Sequence, residues 1–237
     1  MYQHFIFDLY GTLLDIRTDE ESEETWESFA WWLRDHGMGC DARMLRRRYA
    51  EKVAVLAHRP SAYACPDLDL LPVFSSLCGE LKKGGEAMAW QSGEAFRRCS
   101  TRMLQLYPGT MQVLGALKNA GKKVYLLSNA QRVFTWRELE GTGLLRFFDD
   151  IFISSDAACK KPDPAFFHLL LDKHGLSPAD CVMIGNDSAT DIAGAAAVGM
   201  DAMYLRTAIS PEGDPVPDCR YVHLDGDIRH VLELIRK

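Results

Sequence analysis

The chain has 237 residues, of which 47% are hydrophobic and 25% are charged, the composition of an ordinary globular protein with one or two domains. Its formal net charge of -6, without an extended basic run, argues against nonspecific nucleic-acid binding. Seven cysteines without a Cys-x-x-Cys pair argue against a disulfide framework or a zinc site.

The first residues lead directly into an apolar segment and lack the charged and apolar regions of a signal peptide. No apolar run approaches the length of a membrane span. Together with the unpaired cysteines, this predicts a cytoplasmic protein without a membrane partner. The sequence leaves the oligomeric state open.

Residues 4–14 form a short apolar run that meets an acid at Asp8 and a glycine at Gly11. Such a run predicts a strand that is buried on both faces of a parallel sheet. Asp8 is then expected at the carboxyl end of the strand, where open α/β sheets bind their ligands, with the Thr12 hydroxyl just beyond it. The alternative is an aspartate that only begins a turn.

The segment after Asp15 is predicted to be helical. The acidic residues 19–24 suit the first turn of a helix, and a second helical pattern runs from about 42 to 56. Residues 61–105 are predicted to be mostly helical, with breaks at prolines and glycines. Three arginines in this segment are candidates to face a substrate: Arg43, Arg46 and Arg97.

From residue 107 onward, the pattern alternates between strands and helices. Apolar strands are predicted at 123–127, 150–154, 181–184 and 202–205, with helical segments between them. This alternation predicts parallel pairing of the strands with right-handed crossovers.

The predicted fold class is α/β, with a Rossmann-like parallel sheet core that has helices on both faces, plus an α-helical cap domain. Residues 1–15 and 106–237 would form the core domain, and residues 16–105 would form the cap. Because the cap is inserted directly after the first strand, a substrate pocket is expected between the two domains.

Four polar clusters follow predicted strands or lie in loops on the same rim of the sheet. They are Asp8 with Thr12, Ser128-Asn129, Lys161, and Asn186-Asp187 with Asp191. Each cluster alone is also explained as a helix cap or a surface turn. All four in this order, at the ends of alternating strands, are better explained by one active site.

At these clusters the sequence resembles the haloacid dehalogenase-like hydrolase superfamily, and the resemblance covers nearly the whole chain. The motifs that are similar are Asp8-Leu9-Tyr10-Gly11-Thr12, Ser128-Asn129, Lys161-Pro162 and Gly185-Asn186-Asp187-Ser188-Ala189-Thr190-Asp191. The insert after the first motif is similar to the helical cap of the subfamily that includes many small phosphatases and the 2-haloacid dehalogenases.

The resemblance implies that the Asp8 carboxylate attacks a phosphoryl or carbon centre, and that water then hydrolyses the covalent ester. For phosphoryl transfer, Lys161 would supply an ammonium group, and Ser128 and Thr12 would supply hydrogen-bond donors. Two further residues complete the predicted catalytic set: Tyr10 and Asn129.

The resemblance also implies a Mg²⁺ cofactor, which prefers hard oxygen ligands. Its protein ligands would be Asp8, the backbone carbonyl of Tyr10 and Asp187, with Asn186 as the alternative to Asp187. Asp191 would either ligate the ion through water or orient the lysine of the third motif, and the sequence leaves this choice open.

Tyr10 departs from the phosphatase pattern, because phosphatases of the superfamily carry a second Asp there as general acid. The loss of one acid-base group costs roughly 10²-fold to 10⁴-fold in rate for a poor leaving group, and less for an aryl or acyl phosphate. A Tyr at this position is also similar to the 2-haloacid dehalogenases, which need no metal. Two other residues favour magnesium chemistry, since Asp187 keeps a carboxylate and Phe167 stands where dehalogenases tend to have Tyr.

Three functions remain open. The first is a magnesium-dependent phosphatase of a small phosphorylated metabolite, with an aspartyl-phosphate intermediate on Asp8. The second is a metal-free dehalogenase, and the third is a catalytically weak member that binds a phosphorylated ligand or a protein partner. Magnesium dependence would separate the first two, and binding without turnover would identify the third.

Overall fold

The computed structural model describes residues 1–81 and 84–235. The described residues form the strands β1 (His4–Phe7), β2 (Leu14–Thr18), β3 (Thr101–Leu106), β4 (Lys123–Ser128), β5 (Asp150–Ile153), β6 (Cys181–Gly185), β7 (Asp201–Leu205) and β8 (Tyr221–His223). The α-helices are α1 (Glu23–Asp35), α2 (Ala42–Ala57), α3 (Leu71–Glu80), α4 (Glu86–Ser100), α5 (Thr110–Asn119), α6 (Arg132–Gly141), α7 (Ser154–Ala157), α8 (Pro164–His174) and α9 (Ala193–Ala197). Residues 82–83 and 236–237, which fall within the predicted cap and core ranges, lie outside the described residues. No helix in the described ranges is long and apolar enough to cross a membrane.

The central sheet has six strands in the order β5-β4-β1-β6-β7-β8, and each neighbouring pair is parallel. The residues of β1 suit its place in the middle, because Phe5, Ile6 and Phe7 are all fully buried. Phe5 and Phe7 belong to the apolar core that includes α5, whereas Ile6 belongs to the core that includes α8 on the other face. This parallel sheet with helices on both faces confirms the predicted fold class.

The helices α1 to α4 form a separate apolar core, which is the helical cap. Aromatic rings fill it: the ring centroids of Trp26 and Phe96 lie 5.0 Å apart, and those of Phe29 and Phe96 lie 5.4 Å apart. Val133 and Phe134 from α6 of the core domain complete this cluster. The cap therefore packs directly on the helix that follows β4.

The last part of the predicted helical segment is a strand instead. The sequence predicts mostly helix over residues 61–105, whereas Thr101–Leu106 forms β3 and pairs antiparallel with β2, with Leu14 opposite Leu106. The Arg, Met, Leu and Gln residues of β3 favour helix locally, so the prediction was wrong there because pairing with β2 overrides propensity. The cap is thus joined to the core through a two-stranded ribbon.

A further connection joins the cap to the core between α2 and α3. Residues 65–70 and 158–160 meet in a short antiparallel bridge that pairs Pro66 with Cys159. Backbone hydrogen bonds of 2.9 and 3.1 Å flank this bridge. The Gln131 side chain adds two bonds to backbone groups of the same cap segment, at 2.7 and 2.9 Å. The cap is therefore docked on the loops that follow β4 and β5.

Candidate active site

Asp8 directly follows β1 and is almost entirely buried. Its N–H donates to the carbonyl of Ile184 in the neighbouring strand β6, at 2.9 Å, so the chain remains in register with the sheet up to this residue. The Asp8 side chain therefore lies at the carboxyl end of the sheet, with the loops after β4 and β6 on either side. Open α/β sheets bind their ligands at this place.

Lys161 is fully buried, and each of its three ammonium protons has an acceptor. Nζ lies 2.7 Å from Asp8 Oδ1, 2.6 Å from Asp191 Oδ1 and 2.8 Å from the carbonyl oxygen of Leu127. Burial alone would lower the pKa of Lys161, but the carboxylates of Asp191 and Asp8 outweigh it and raise the pKa. The lysine is therefore held in place as a cation.

Asp191 is the second acid of this buried group. Burial raises the pKa of Asp191 to about 7, against the opposing attraction of the Lys161 ammonium. Its Oδ2 accepts the N–H groups of Asn186 and Asp187, both at 3.1 Å. Both carboxylate oxygens are thus engaged within the protein, which favours the interpretation that Asp191 orients the lysine.

Two hydroxyl groups face the Asp8 carboxylate. The Oγ of Ser128, at the end of β4, lies 3.4 Å from Oδ1, and the Oγ1 of Thr12 lies 3.4 Å from Oδ2. Oδ1 also accepts the short bond from Lys161, whereas Oδ2 has the longer contact with Thr12. Oδ2 is therefore the less engaged oxygen of the two.

The Asn129 side chain binds backbone groups of the lysine loop. Its Nδ2 donates to the carbonyl of Lys161 at 3.0 Å, and its Oδ1 accepts the N–H of Lys161 at 2.8 Å. This pair of bonds ties the loop after β4 to the loop that carries the lysine. Asn129 therefore helps to set the position of Lys161.

The two residues that follow β6 point to different partners. Asn186 is buried beside Thr12, whose Oγ1 lies 3.4 Å from Asn186 Oδ1. Asp187 Oδ1 instead accepts the N–H groups of Ala189 and Thr190, at 2.8 and 3.1 Å, and caps the turn that follows. Asn186 thus shares its hydroxyl partner with Asp8, and Asp187 does not.

Asp8 and Asn186 carry side-chain oxygens that could hold a magnesium ion. Asp8 Oδ2 and Asn186 Oδ1 converge on the same Thr12 hydroxyl, at 3.4 Å each. Both are hard oxygen donors of the kind that Mg²⁺ prefers. Within residues 1–81 and 84–235, no group of three His, Cys, Asp or Glu side chains is arranged to hold a metal. An ion held by the two side-chain oxygens of Asp8 and Asn186 would keep most of its water ligands.

Tyr10 is held between the core helix α6 and the cap helix α4. Its hydroxyl donates to a carboxylate oxygen of Glu138 and lies 2.9 Å from Thr135 Oγ1. Arg97 Nε binds the other Glu138 oxygen at 2.7 Å, and the guanidinium carbon lies 5.5 Å from the centroid of the Tyr10 ring. Burial first, and then the Glu138 charge, raises the pKa of Tyr10. The phenol is therefore neutral, and its proton is committed to Glu138.

The arginines considered from the sequence lie in different places. Arg97 contacts Glu138 and the Tyr10 ring, whereas Arg43 is exposed on α2 and Arg46 pairs with Glu21 on the cap surface. Phe167 is buried in the core, so close to the backbone of α9 that a Cβ at residue 194 would lie 2.3 Å from its ring.

A cavity of about 190 Å³ opens onto these groups. Asp8, Asn186 and Lys161 line one side of it, and Ile209 and Pro211 from the loop after β7 line another. Cavities that take drug-sized ligands are larger, at about 300–1,000 Å³. The site therefore has room for a small reacting group.

The sequence analysis missed Glu138, Thr135 and Ser210. Glu138 lies 128 residues after its partner Tyr10, in an ordinary helical pattern. A signal in the sequence is its spacing of four residues from Phe134, which places it on the buried face of α6, where a carboxylate needs a partner. Ser210 lies in the loop after β7, which carries no recognised motif.

Comparisons with known proteins identify the family of this chain. A model of the haloacid dehalogenase-like hydrolase family matches residues 2–199. The chain therefore belongs to the haloacid dehalogenase-like hydrolases and is a hydrolase.

Similarity to individual proteins adds detail. A phosphoserine phosphatase from Thermus thermophilus is 31% identical over 180 residues, which cover 72% of this chain and 70% of the relative. A phosphoglycolate phosphatase from Vibrio cholerae is 30% identical over 142 residues, which cover 60% of this chain and 62% of that protein. The crystal structure of a 2-haloacid dehalogenase from Pseudomonas syringae pv. Tomato matches with a TM-score of 0.62 at 20% identity, over 99% of both chains. That last similarity shows a shared fold.

Proposed function

We propose that the protein is a magnesium-dependent phosphatase of a small phosphorylated metabolite, acting through an aspartyl-phosphate on Asp8. The observation that carries this proposal is the buried Lys161 ammonium between Asp8 and Asp191. Burying a charged group costs several kcal/mol. Such buried charges are more common at reactive sites than in the rest of a protein core. The similarity to phosphoserine and phosphoglycolate phosphatases supports the same reaction class.

In this mechanism the Asp8 carboxylate attacks phosphorus, and the bond from phosphorus to the leaving oxygen breaks with its electron pair on the leaving group. Lys161 and the hydroxyls of Ser128 and Thr12 stabilise the negative charge on the phosphoryl oxygens. Water then attacks phosphorus and passes one proton to a phosphoryl oxygen, and the Asp8 oxygen departs with the electron pair of its bond to phosphorus. The products are inorganic phosphate and the regenerated carboxylate.

Asp8, Asn186 and the backbone carbonyl of Tyr10 would hold the magnesium ion. When bound, the ion supplies positive charge that offsets the charge of the phosphoryl group. The sequence favours Asp187 as a ligand, but one of its carboxylate oxygens accepts hydrogen bonds from the turn that follows it. Asn186 therefore takes its place in this proposal. Asp191 keeps Lys161 charged and oriented.

The leaving group receives little help from Tyr10, because the phenol proton is committed to Glu138. A leaving group that departs as a stable anion needs no such help. Without a general acid, poor leaving groups lose roughly 10²-fold to 10⁴-fold in rate. Aryl and acyl phosphates are therefore the better substrates in this proposal.

A second candidate function is that of a metal-free 2-haloacid dehalogenase. The observations that favour it are Tyr10 and the uncharged amide of Asn186 at the place of a metal ligand. In that reaction Asp8 would attack carbon, and the halide would depart without a proton. Retained binding of a phosphorylated ligand without turnover would instead identify a catalytically weak member.

We also propose that the cap, residues 16–105, covers the site and selects the substrate, while residues 1–15 and 106–237 carry the reacting groups. A cytoplasmic location fits the seven cysteines, all of which are free thiols. The expected partner is a small phosphorylated molecule, without nucleic acid or membrane.

The test is hydrolysis of p-nitrophenyl phosphate and acetyl phosphate in the presence of Mg²⁺ or of EDTA. We expect turnover that needs Mg²⁺ and that falls about 10⁴-fold in Asp8→Asn. Asp172→Asn, on the exposed side of α8, is the matched control and should keep its activity. No turnover of either compound would contradict the phosphatase proposal, and chloride release from 2-chloropropionate in EDTA would establish the dehalogenase.

A further inference from the structure

The loop after β7 holds two loops of the site through hydroxyl groups. Thr207 Oγ1 donates to the carbonyl of Gly11 at 2.7 Å, and Ser210 Oγ donates to the carbonyl of Asn186 at 2.8 Å. The first bond reaches the segment after β1, and the second reaches the segment after β6. These two segments carry the proposed magnesium ligands.

The hydrogen-bonding capacity of Ser210 is fully used. A serine hydroxyl has one proton and two lone pairs. The proton goes to the Asn186 carbonyl, while the lone pairs face the N–H of Thr207 at 3.1 Å and the Nδ2 of Asn186 at 3.5 Å. Because the hydroxyl has no proton left for the amide side chain, it can face the amide nitrogen and not the amide oxygen.

This contact decides the orientation of the Asn186 amide. The two flipped forms of an amide have nearly the same shape, so their hydrogen-bond partners select one of them. With the nitrogen at Ser210, the oxygen faces Thr12, the hydroxyl that also faces Asp8. In the opposite form, the amide N–H groups would point toward the ion position and repel a cation.

We propose that Ser210 is a positioning residue for magnesium, because it fixes Asn186 with the amide oxygen toward the ion. The inference rests on the magnesium dependence proposed above. Gly11 belongs to the same arrangement, since a Cβ there would lie 2.2 Å from Asn186 Nδ2 and displace the amide. Partners that orient a metal ligand commonly change metal affinity by about 10-fold to 100-fold.

Isothermal titration of the full chain with MgCl₂ and with MnCl₂, without substrate, tests this proposal. Ser210→Ala is expected to weaken binding of both ions by about 10-fold to 100-fold, and Ser210→Thr, which keeps the hydroxyl, should restore most of it. Ser188→Ala is the matched control, because its hydroxyl binds Asp214 of the same loop without touching Asn186. Its affinity should stay within about twofold of the wild type.

Asn186→Asp distinguishes positioning from a general loss of structure. A carboxylate presents an oxygen in either orientation, so adding Ser210→Ala to Asn186→Asp should cost less than about threefold in affinity. An equal loss in both backgrounds would overturn the proposal, and so would unchanged affinity in Ser210→Ala. If the wild type hydrolyses p-nitrophenyl phosphate only with Mg²⁺ while Ser210→Ala binds Mg²⁺ normally, this inference alone fails. A wild type that binds no Mg²⁺ overturns the magnesium-dependent function as well.

Discussion

At the scale of single residues, Lys161 places one positive charge between two buried carboxylates. Lys161→Met would leave Asp8 and Asp191 uncompensated, so we expect the free energy of unfolding to fall by about 3–5 kcal/mol. Urea denaturation at pH 7 measures this loss. Lys173→Met, which breaks an exposed ion pair with Asp150, is the matched control and should lose less than about 1 kcal/mol. Equal losses in the two variants would contradict the pairing described for Lys161.

A second residue, Asp149, makes stability depend on pH outside the active site. Its carboxylate accepts from Lys118 Nζ at 2.7 Å, Lys123 Nζ at 2.9 Å and the N–H of Val124 at 2.9 Å. Burial would raise the pKa of Asp149, but these partners lower it to about 2. Since the pKa in the unfolded chain is about 3.9, this stabilisation is complete above about pH 4 and is lost as the pH falls toward 2.

Asp149→Asn is therefore expected to lower the free energy of unfolding by roughly 1 kcal/mol at pH 7, a value reduced for the solvent screening of the partly exposed lysines. At pH 3 the difference between variant and wild type should be smaller. Urea titrations at both pH values measure the two differences. A difference of the same size at pH 3 would show that the charge of Asp149 does not cause the effect.

At the scale of elements, the bridge between Pro66 and Cys159 joins the cap to the core. The residues on either side of Pro66 and Cys159 make the backbone hydrogen bonds, so Pro66 and Cys159 form a non-hydrogen-bonded antiparallel pair. The Cα atoms in such a pair lie about 4.5 Å apart. That separation lies within the range of a disulfide. Pro66→Cys is therefore expected to form a disulfide with Cys159 on oxidation, which a non-reducing gel would detect.

Burial raises the pKa of the Cys159 thiol to about 11, so alkaline conditions favour the thiolate form of this cysteine and should speed the oxidation. Since the cap is proposed to cover the site, the oxidised variant should lose more turnover with a bulky aryl phosphate than with acetyl phosphate. Pro66→Cys combined with Cys159→Ser is the control without a cross-link. A Pro66→Cys variant that folds but never cross-links would contradict the docking of the cap.

The elements that could be predicted are those with a clear hydrophobic pattern in their own sequence. β4 and β6 are apolar runs of strand length, and α2 begins within a residue of its predicted start. β3 lacked such a signal, because its residues favour helix until β2 pairs with them. Polar contacts between distant segments could not be predicted from the sequence. Glu138 reaches Tyr10 only because α6 packs beside the loop after β1. The contacts of Asn186 and Asp187 likewise depend on where β6 ends.

At the scale of the whole molecule, the ribbon of β2 and β3 brings the two ends of the cap side by side, with Thr18 opposite Thr101. Because the chain leaves the core domain through β2 and returns through β3, the cap could be removed and the two strands joined by a tight turn. The result would be a simple β-hairpin. The strand order of the sheet would not change, although Val133 and Phe134 would lose their cover and need polar replacements. The cap could in this sense be exchanged as a unit, so the selectivity proposed for it could be transferred between relatives while Asp8 and Lys161 stay in place.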